Sequence, residues 1–192
     1  MPPKCKYTKE EIVSAAVELV RAGGLDALSA RSLAERLGTS AKPIFVQFCG
    51  MEELEKAVLE RAEEIYLQFL QTDMQRGKYP PYKGGGMGYI RFAKEERELF
   101  KLLFMRERER SRMNETEASF EMMVDVIQKQ LGLSQEDAVG FHASLWIYVH
   151  GFATTIATGF REWDEETVSA MLSDVYLALK SHYQTKGSQK NG

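Results

Sequence analysis

The stretch that decides the fold is SARSLAERLGTSAKPIFVQF, residues 29–48. Ser29 is placed to cap a short helix that continues to Leu37, and Gly38 stops it. Ser40 can cap a second short helix that reaches about Gln47. Leu33, Leu37, Ile44 and Phe48 supply an apolar seam, Ala34 is small where the two helices must touch, and polar side chains take the outward positions. Two short helices around a glycine turn are the helix-turn-helix arrangement, whose second helix enters the major groove of DNA while the first crosses the backbone. An ordinary helical hairpin shows the same pattern, so this stretch leaves both readings open.

Upstream, residues 8–23 open with Thr8-x-x-Glu11, a capping box, and place Ile12, Ala16, Leu19 and Val20 on one face before Gly23-Gly24 ends the helix. Downstream, a long helix from residue 51 to about 74 carries Leu54, Val58, Ala62, Ile65 and Phe69 inward. GKYPPYKGGGMG, residues 77–88, reads as a loop because of its prolines and glycines. Short helical pieces over 90–105, a charged surface segment over 106–116 and a helix over 117–131 follow. Ser134 and Asp164 cap the last two helices, which end near Gly159 and Gln184. No segment alternates like a strand and no repeat recurs, so the chain is all-α. The expected division is a helix-turn-helix domain over 1–50, a helical domain over 51–185 and a disordered tail over 186–192.

Of the 192 residues, 44% are hydrophobic and 28% charged, which suits a folded globular chain. Two cysteines, Cys5 and Cys49, with His142, His150 and His182, cannot build a disulfide framework or a closed zinc site, so no metal and no cofactor are expected. The polar start lacks a signal peptide's apolar run, and the expected location is cytoplasmic. The net charge of −3 is unevenly spread. Residues 1–50 are mildly basic through Lys4, Lys6, Lys9, Arg21, Arg31, Arg36 and Lys42, and the remainder is acidic, as in a DNA reader joined to a sensor or dimer module.

Between Asp137 and Arg161 no residue is charged. The length could span a bilayer, but two histidines, three glycines and the absence of a flanking basic cluster argue against it. On a helix, Phe141, Leu145, Phe152, Ile156 and Phe160 form a bulky stripe, Gly151, Thr155 and Gly159 a small one, and Trp146 with His150 a mixed one. Such a helix lies half in a core and half in an oligomer interface. The stripe Val168, Leu172, Val175 and Leu179 on the final helix fits the same role.

These residues together resemble the TetR family of transcriptional regulators. The resemblance runs through Ile12, Ala15, Ala16, Leu19 and Gly23, then Leu28-Ser29-x-Arg31-x-Leu33-Ala34-x-x-Leu37-Gly38-x-Ser40, then Phe45, Phe48 and Glu52-Glu53-Leu54. The sequence Trp146-Ile147-Tyr148-Val149-His150-Gly151 is similar to a subgroup whose C-terminal domain carries a Trp followed by His-Gly. The resemblance implies a homodimer whose last two helices pair with their mates as a four-helix bundle. It also implies a double-stranded DNA operator, and a small-molecule effector whose entry into the C-terminal domain releases that operator. Members commonly carry a tyrosine where Phe45 stands and a lysine where Met51 stands, and both are phosphate contacts elsewhere. Lys42, the hydroxyls of Thr39 and Ser40 and the arm Lys4, Lys6 and Lys9 are the DNA contacts expected to compensate, with Arg31 anchoring the first helix on phosphate, Phe45 beside them and Gln47 as the reader of an adenine edge. For Lys6 and Lys9, a solvated helix start accounts for the charge equally well.

In the sensor half, Trp146 and His150 with Phe92, Phe104, Met105, Met122 and Met123 are candidates to line an apolar pocket, and the alternative is that they are core residues. Lys83-Gly84-Gly85-Gly86 follows no strand and is no phosphate cradle, and no catalytic motif is present, so no enzymatic activity is expected. The expected function is a dimeric, DNA-binding repressor released by an apolar or aromatic effector. The alternative is a helical small-molecule-binding or scaffold protein that has lost operator recognition through Phe45 and Met51.

Overall fold

The computed structural model describes residues 7–106 and 117–190. Among them the secondary structure is helical: α1 (Lys9–Gly23), α2 (Ala30–Arg36), α3 (Ile44–Gln47), α4 (Met51–Gln75), α5 (Pro81–Glu95), α6 (Arg97–Phe104), α7 (Glu117–Leu131), α8 (Gln135–Ala157) and α9 (Glu165–Lys190), with one 3-10 turn at Leu25–Ala27. The chain forms two compact units. The first takes residues up to Ile65 together with Glu96–Glu107, and the second takes Tyr66–Glu95 and Arg108–Gly192. This division falls within α4, between Ile65 and Tyr66, while the sequence expectation is a boundary at 50/51. The first half of α4 belongs with the N-terminal helices because Leu54, Val58 and Ala62 are fully buried in their core.

In the first unit α1 begins as the sequence requires. Thr8 Oγ1 accepts from Glu11 N at 3.1 Å, and Thr8 N donates to Glu11 Oε2 at 2.8 Å. At Ser29 the reciprocal partner is Ser32, whose N donates to Ser29 Oγ at 3.1 Å. Helix α2 ends in a Schellman turn: Gly38 adopts φ +61°, Thr39 N donates to Ala34 O at 2.9 Å and Gly38 N to Glu35 O at 3.0 Å. Ser40 does not cap α3, which starts after Pro43. The proline's fixed φ suits a first helical turn and restrains the residue before it. Helix α6 packs on α1, and Arg21 grips Glu96 through Nε at 2.8 Å and Nη2 at 2.6 Å.

In the second unit α8 is central and packs on α5, α7 and α9. Phe141, Leu145, Phe152 and Ile156 are buried as their spacing predicts, whereas Phe160 lies beyond the helix and is exposed. Ser134 caps α8 by accepting from Asp137 N at 3.2 Å, and Asp164 accepts from Thr167 N at 2.8 Å at the start of α9. Helix α9 continues to Lys190, so the tail expected over 186–192 is helical as far as that residue.

The expected loop over 77–88 is corrected, because α5 starts at Pro81 and carries four glycines inside it. A Cβ on Gly84 would lie 2.6 Å from Asp73 O, and one on Gly88 2.7 Å from Phe69 O, so α5 meets the second half of α4 backbone to backbone. Glycine lowers helix propensity by about 1 kcal/mol per residue. The close approach that only glycine permits offsets that loss by burying Tyr82, Met87, Tyr89, Ile90 and Phe92.

Candidate functional site

In the first unit the turn between α2 and α3 presents the expected polar set. Arg31, Ser40 and Lys42 are exposed, and Thr39 is half-buried. Among the described residues neither Arg31 nor Lys42 has an ion-pair partner, so both cations are available to an anion. On α3 the exposed side chains are apolar, Phe45 at 41% and Val46 at 65%, while Ile44 and Phe48 fill the core beneath. Gln47 is half-buried and its Nε2 donates to Tyr7 O at 3.0 Å. Tyr7 in turn donates its hydroxyl to Leu37 O. Tyr7, immediately ahead of the Thr8 cap of α1, therefore bridges the turn and the end of α3. The sequence signal for Tyr7 is its position as an aromatic immediately ahead of a cap, whereas Val46 departs from the expectation of polar side chains at the outward positions.

Lys9 serves a structural pair. Its Nζ lies 2.9 Å from Glu53 Oε1 and 4.9 Å above the Phe48 ring. Glu53 also accepts from Cys49 N at 2.6 Å at the start of α4, and these donors hold its carboxyl down at about 2. Met51, at the first position of α4, is half-buried. Lys4 and Lys6 lie outside the described residues.

In the second unit a cavity of about 290 Å³ opens between α5, α7, α8 and α9. Its floor is Gly86, Leu145, Val149 and Leu172, and its polar points are Tyr79, Lys83, Gln130, Ser173 and Tyr176. Lys83 Nζ donates to Ser173 Oγ at 2.8 Å and sits 4.8 Å from the Tyr79 ring centre. Burial lowers the Lys83 ammonium's pKa below its ordinary value. Tyr82, also on the lining, bonds His142 Nδ1 at 2.9 Å in the core. Burial depresses that imidazole to about 4 and raises the Tyr82 phenol.

None of the seven residues expected around a pocket lines this cavity, and Met123 among them is buried on α7. Phe92 is buried against Tyr66 and Phe69, with ring centres 5.4 Å away in each case. Trp146 stacks on His150 at 5.0 Å and 16°, and Tyr89 Oη lies 2.8 Å from His150 Nδ1. Met122 is half-buried on α7. Phe104 and Met105 are displaced furthest from expectation: they belong to the first unit, where Phe104 packs on Phe100 at 5.1 Å. The lining residues on α5 were missed because the glycines hid a helical face, Tyr82-Lys83-x-x-Gly86, inside an expected loop.

No described helix is long and apolar enough to cross a membrane. No described cluster of His, Cys, Asp or Glu is placed to hold a metal ion.

Comparison with known proteins places both units. Residues 12–58 match the model "Bacterial regulatory proteins, tetR family", and residues 83–175 match "Tetracyclin repressor-like, C-terminal domain". No curated protein matches the chain. Among solved structures, a protein of unknown function from Rhodococcus sp. RHA1 superposes with a TM-score of 0.74 at 19% identity, over 95% of this chain and 99% of its own. A single-residue variant of TetR from Acinetobacter baumannii AYE, in complex with minocycline, gives 0.58 at 19% identity over 94% and 98%. TetR from the same organism gives 0.59 at 18% identity over 94% and 98%. At these identities the structures speak for the fold, and the two family models speak for the lineage. With one of them on the helix-turn-helix and the other on the helical body, this chain belongs to the TetR family of DNA-binding transcription regulators.

Proposed function

We propose that the protein is a homodimeric repressor that grips a palindromic operator through α2 and α3 and lets go when a small, mainly apolar molecule enters the cavity of the second unit. The observation that carries this reading is the pairing, in one chain, of an exposed helix-turn-helix whose Arg31 and Lys42 have no ion-pair partner among the described residues with a helical unit that holds a cavity of about 290 Å³. Arg31 and Lys42 then meet phosphates, with the hydroxyls of Thr39 and Ser40 beside them. Phe45 offers apolar contact to a thymine methyl, and Gln47 reads an adenine once its amide leaves the Tyr7 carbonyl. The exposed Ile147 on α8 (66%) and Leu177 on α9 (59%) supply an apolar face for the mate's helices. The dimer would hold two recognition helices about 34–36 Å apart, and effector binding shifts that spacing. The minocycline held by the Acinetobacter TetR variant supports a small molecule as the effector. The location that fits this role is the cytoplasm, with no catalytic step.

The test is in vitro selection from random duplex DNA by the purified protein at low salt. Enrichment of an inverted repeat, lost on Lys42→Ala, is the expected result. A folded dimer that enriches nothing would defeat the reading. That outcome would favour a ligand-binding protein without operator recognition, for which the tethered Gln47 and the donorless Phe45 are the motivation.

A further inference from the structure

We infer that the cavity takes a small amphiphilic carboxylate, with its head group on Lys83 and its apolar body against Leu145, Val149 and Leu172. This names the ligand class of the effector site and rests on the reading of the second unit as the effector domain. Size comes first. At about 30 Å³ per water-sized unit, 290 Å³ holds roughly ten non-hydrogen atoms, a short-chain or single-ring acid.

Charge comes next. Lys83 is the charged residue among the described lining, which includes no Asp, Glu or Arg. Among the described residues no carboxylate lies within ion-pair reach of it. Glu165, at the start of α9, already accepts from Lys78 Nζ at 2.8 Å and from Tyr79 Oη at 3.0 Å. Ser173 Oγ donates to Ser169 O at 3.0 Å, so it meets Lys83 only as an acceptor. Two of the three ammonium hydrogens thus remain for a ligand. A half-buried ammonium with one neutral partner gains most from an anion, and a cationic guest would be repelled. Tyr176, whose hydroxyl accepts from Gln130 Nε2 at 3.1 Å, keeps its own hydrogen for a second oxygen of the guest.

The experiment is calorimetric titration of the full chain near neutral pH with 3-phenylpropionate and octanoate, each beside its own primary amide. The acids are expected to bind about ten- to a hundredfold more tightly than their amides. Lys83→Met should abolish that preference, and Gly86→Leu, which fills the floor, should weaken acid and amide together. An amide that equals its acid overturns the carboxylate class, and so does silence from both acids. The comparison in the unaltered chain carries the test if Lys83→Met fails to fold. The operator selection is independent of this titration, so an inverted repeat recovered while amides match acids sinks the ligand class alone.

Discussion

Three single alanine substitutions on α5 should split in sign, and the split tests the backbone-to-backbone approach that shapes the second unit. At Gly86 an added Cβ would meet Val149 Cγ2 at 3.7 Å and Leu172 Cδ1 at 3.9 Å, ordinary contact distances. Gly86→Ala therefore keeps the packing and gains helix propensity, about 1 kcal/mol. For a chain of this length that raises the melting temperature by about 2–4 °C. At Gly84 the Cβ would lie 2.6 Å from Asp73 O, and at Gly88 2.7 Å from Phe69 O. Both obstacles are carbonyl oxygens inside α4, which cannot swing away as a side-chain tip can. The helices would have to part by most of an ångström, and overpacking of this kind costs about 1–3 kcal/mol. With rigid backbone on both sides the upper end of that range applies, and the propensity gain recovers about 1 kcal/mol of it. Gly84→Ala and Gly88→Ala should each destabilise by about 2 kcal/mol, a fall in melting temperature of about 4–8 °C. Thermal melts followed by circular dichroism at matched concentration read all three. Equal stability of the three variants would refute the close approach, and with it the helical assignment of residues 81–95.

Three further outcomes follow from the geometry. Lys42→Ala should weaken operator binding evenly across sequences and flatten the log–log salt dependence by about 0.9, and an unchanged slope would remove Lys42 from the phosphate contacts. Gly38→Ala forces a Cβ onto φ +61° and should cost about 1 kcal/mol in a urea titration; no change would refute the left-handed turn after α2. The depressed pKa of His142, about 4 against 6.5 when unfolded, means that the unfolded chain binds the extra proton. Stability from this group is complete above about pH 6.5 and is lost as pH falls towards 4, on the order of 3 kcal/mol in all. His142→Gln should flatten that acid limb, and an acid limb as steep as the parent's would show that other groups cause it.

The Ser29 cap, the Gly38 turn, the apolar seam of residues 29–48 and the capping box at Thr8 were legible because each signal is local. A hydroxyl three residues ahead of a free N–H, a glycine able to take positive φ and an apolar seam at helical spacing act within one or two turns. The two family domains of this chain were readable for the same reason, since their motifs lie at fixed short spacings. The cavity was illegible. Trp146 and His150 carry chemistry that suggests a pocket, yet they stack on one another, and the cavity opens instead beside Lys83, Gly86 and Tyr176.

The sequence by itself determined what short-range physics controls: helical class, the caps at Thr8, Ser29, Ser134 and Asp164, the glycine turn and the apolar faces that must be covered. Only the tertiary structure decided that α5 is a helix at all. Four glycines in a segment are unfavourable in isolation, and the segment becomes helical because the second half of α4 lies close enough for Gly84 and Gly88 to touch its backbone. It likewise decided that Phe104 and Met105 join the first unit, and that an ammonium on α5 meets a serine on α9 across ninety positions of chain. Contacts at that separation depend on every intervening helix packing correctly, which no local pattern encodes.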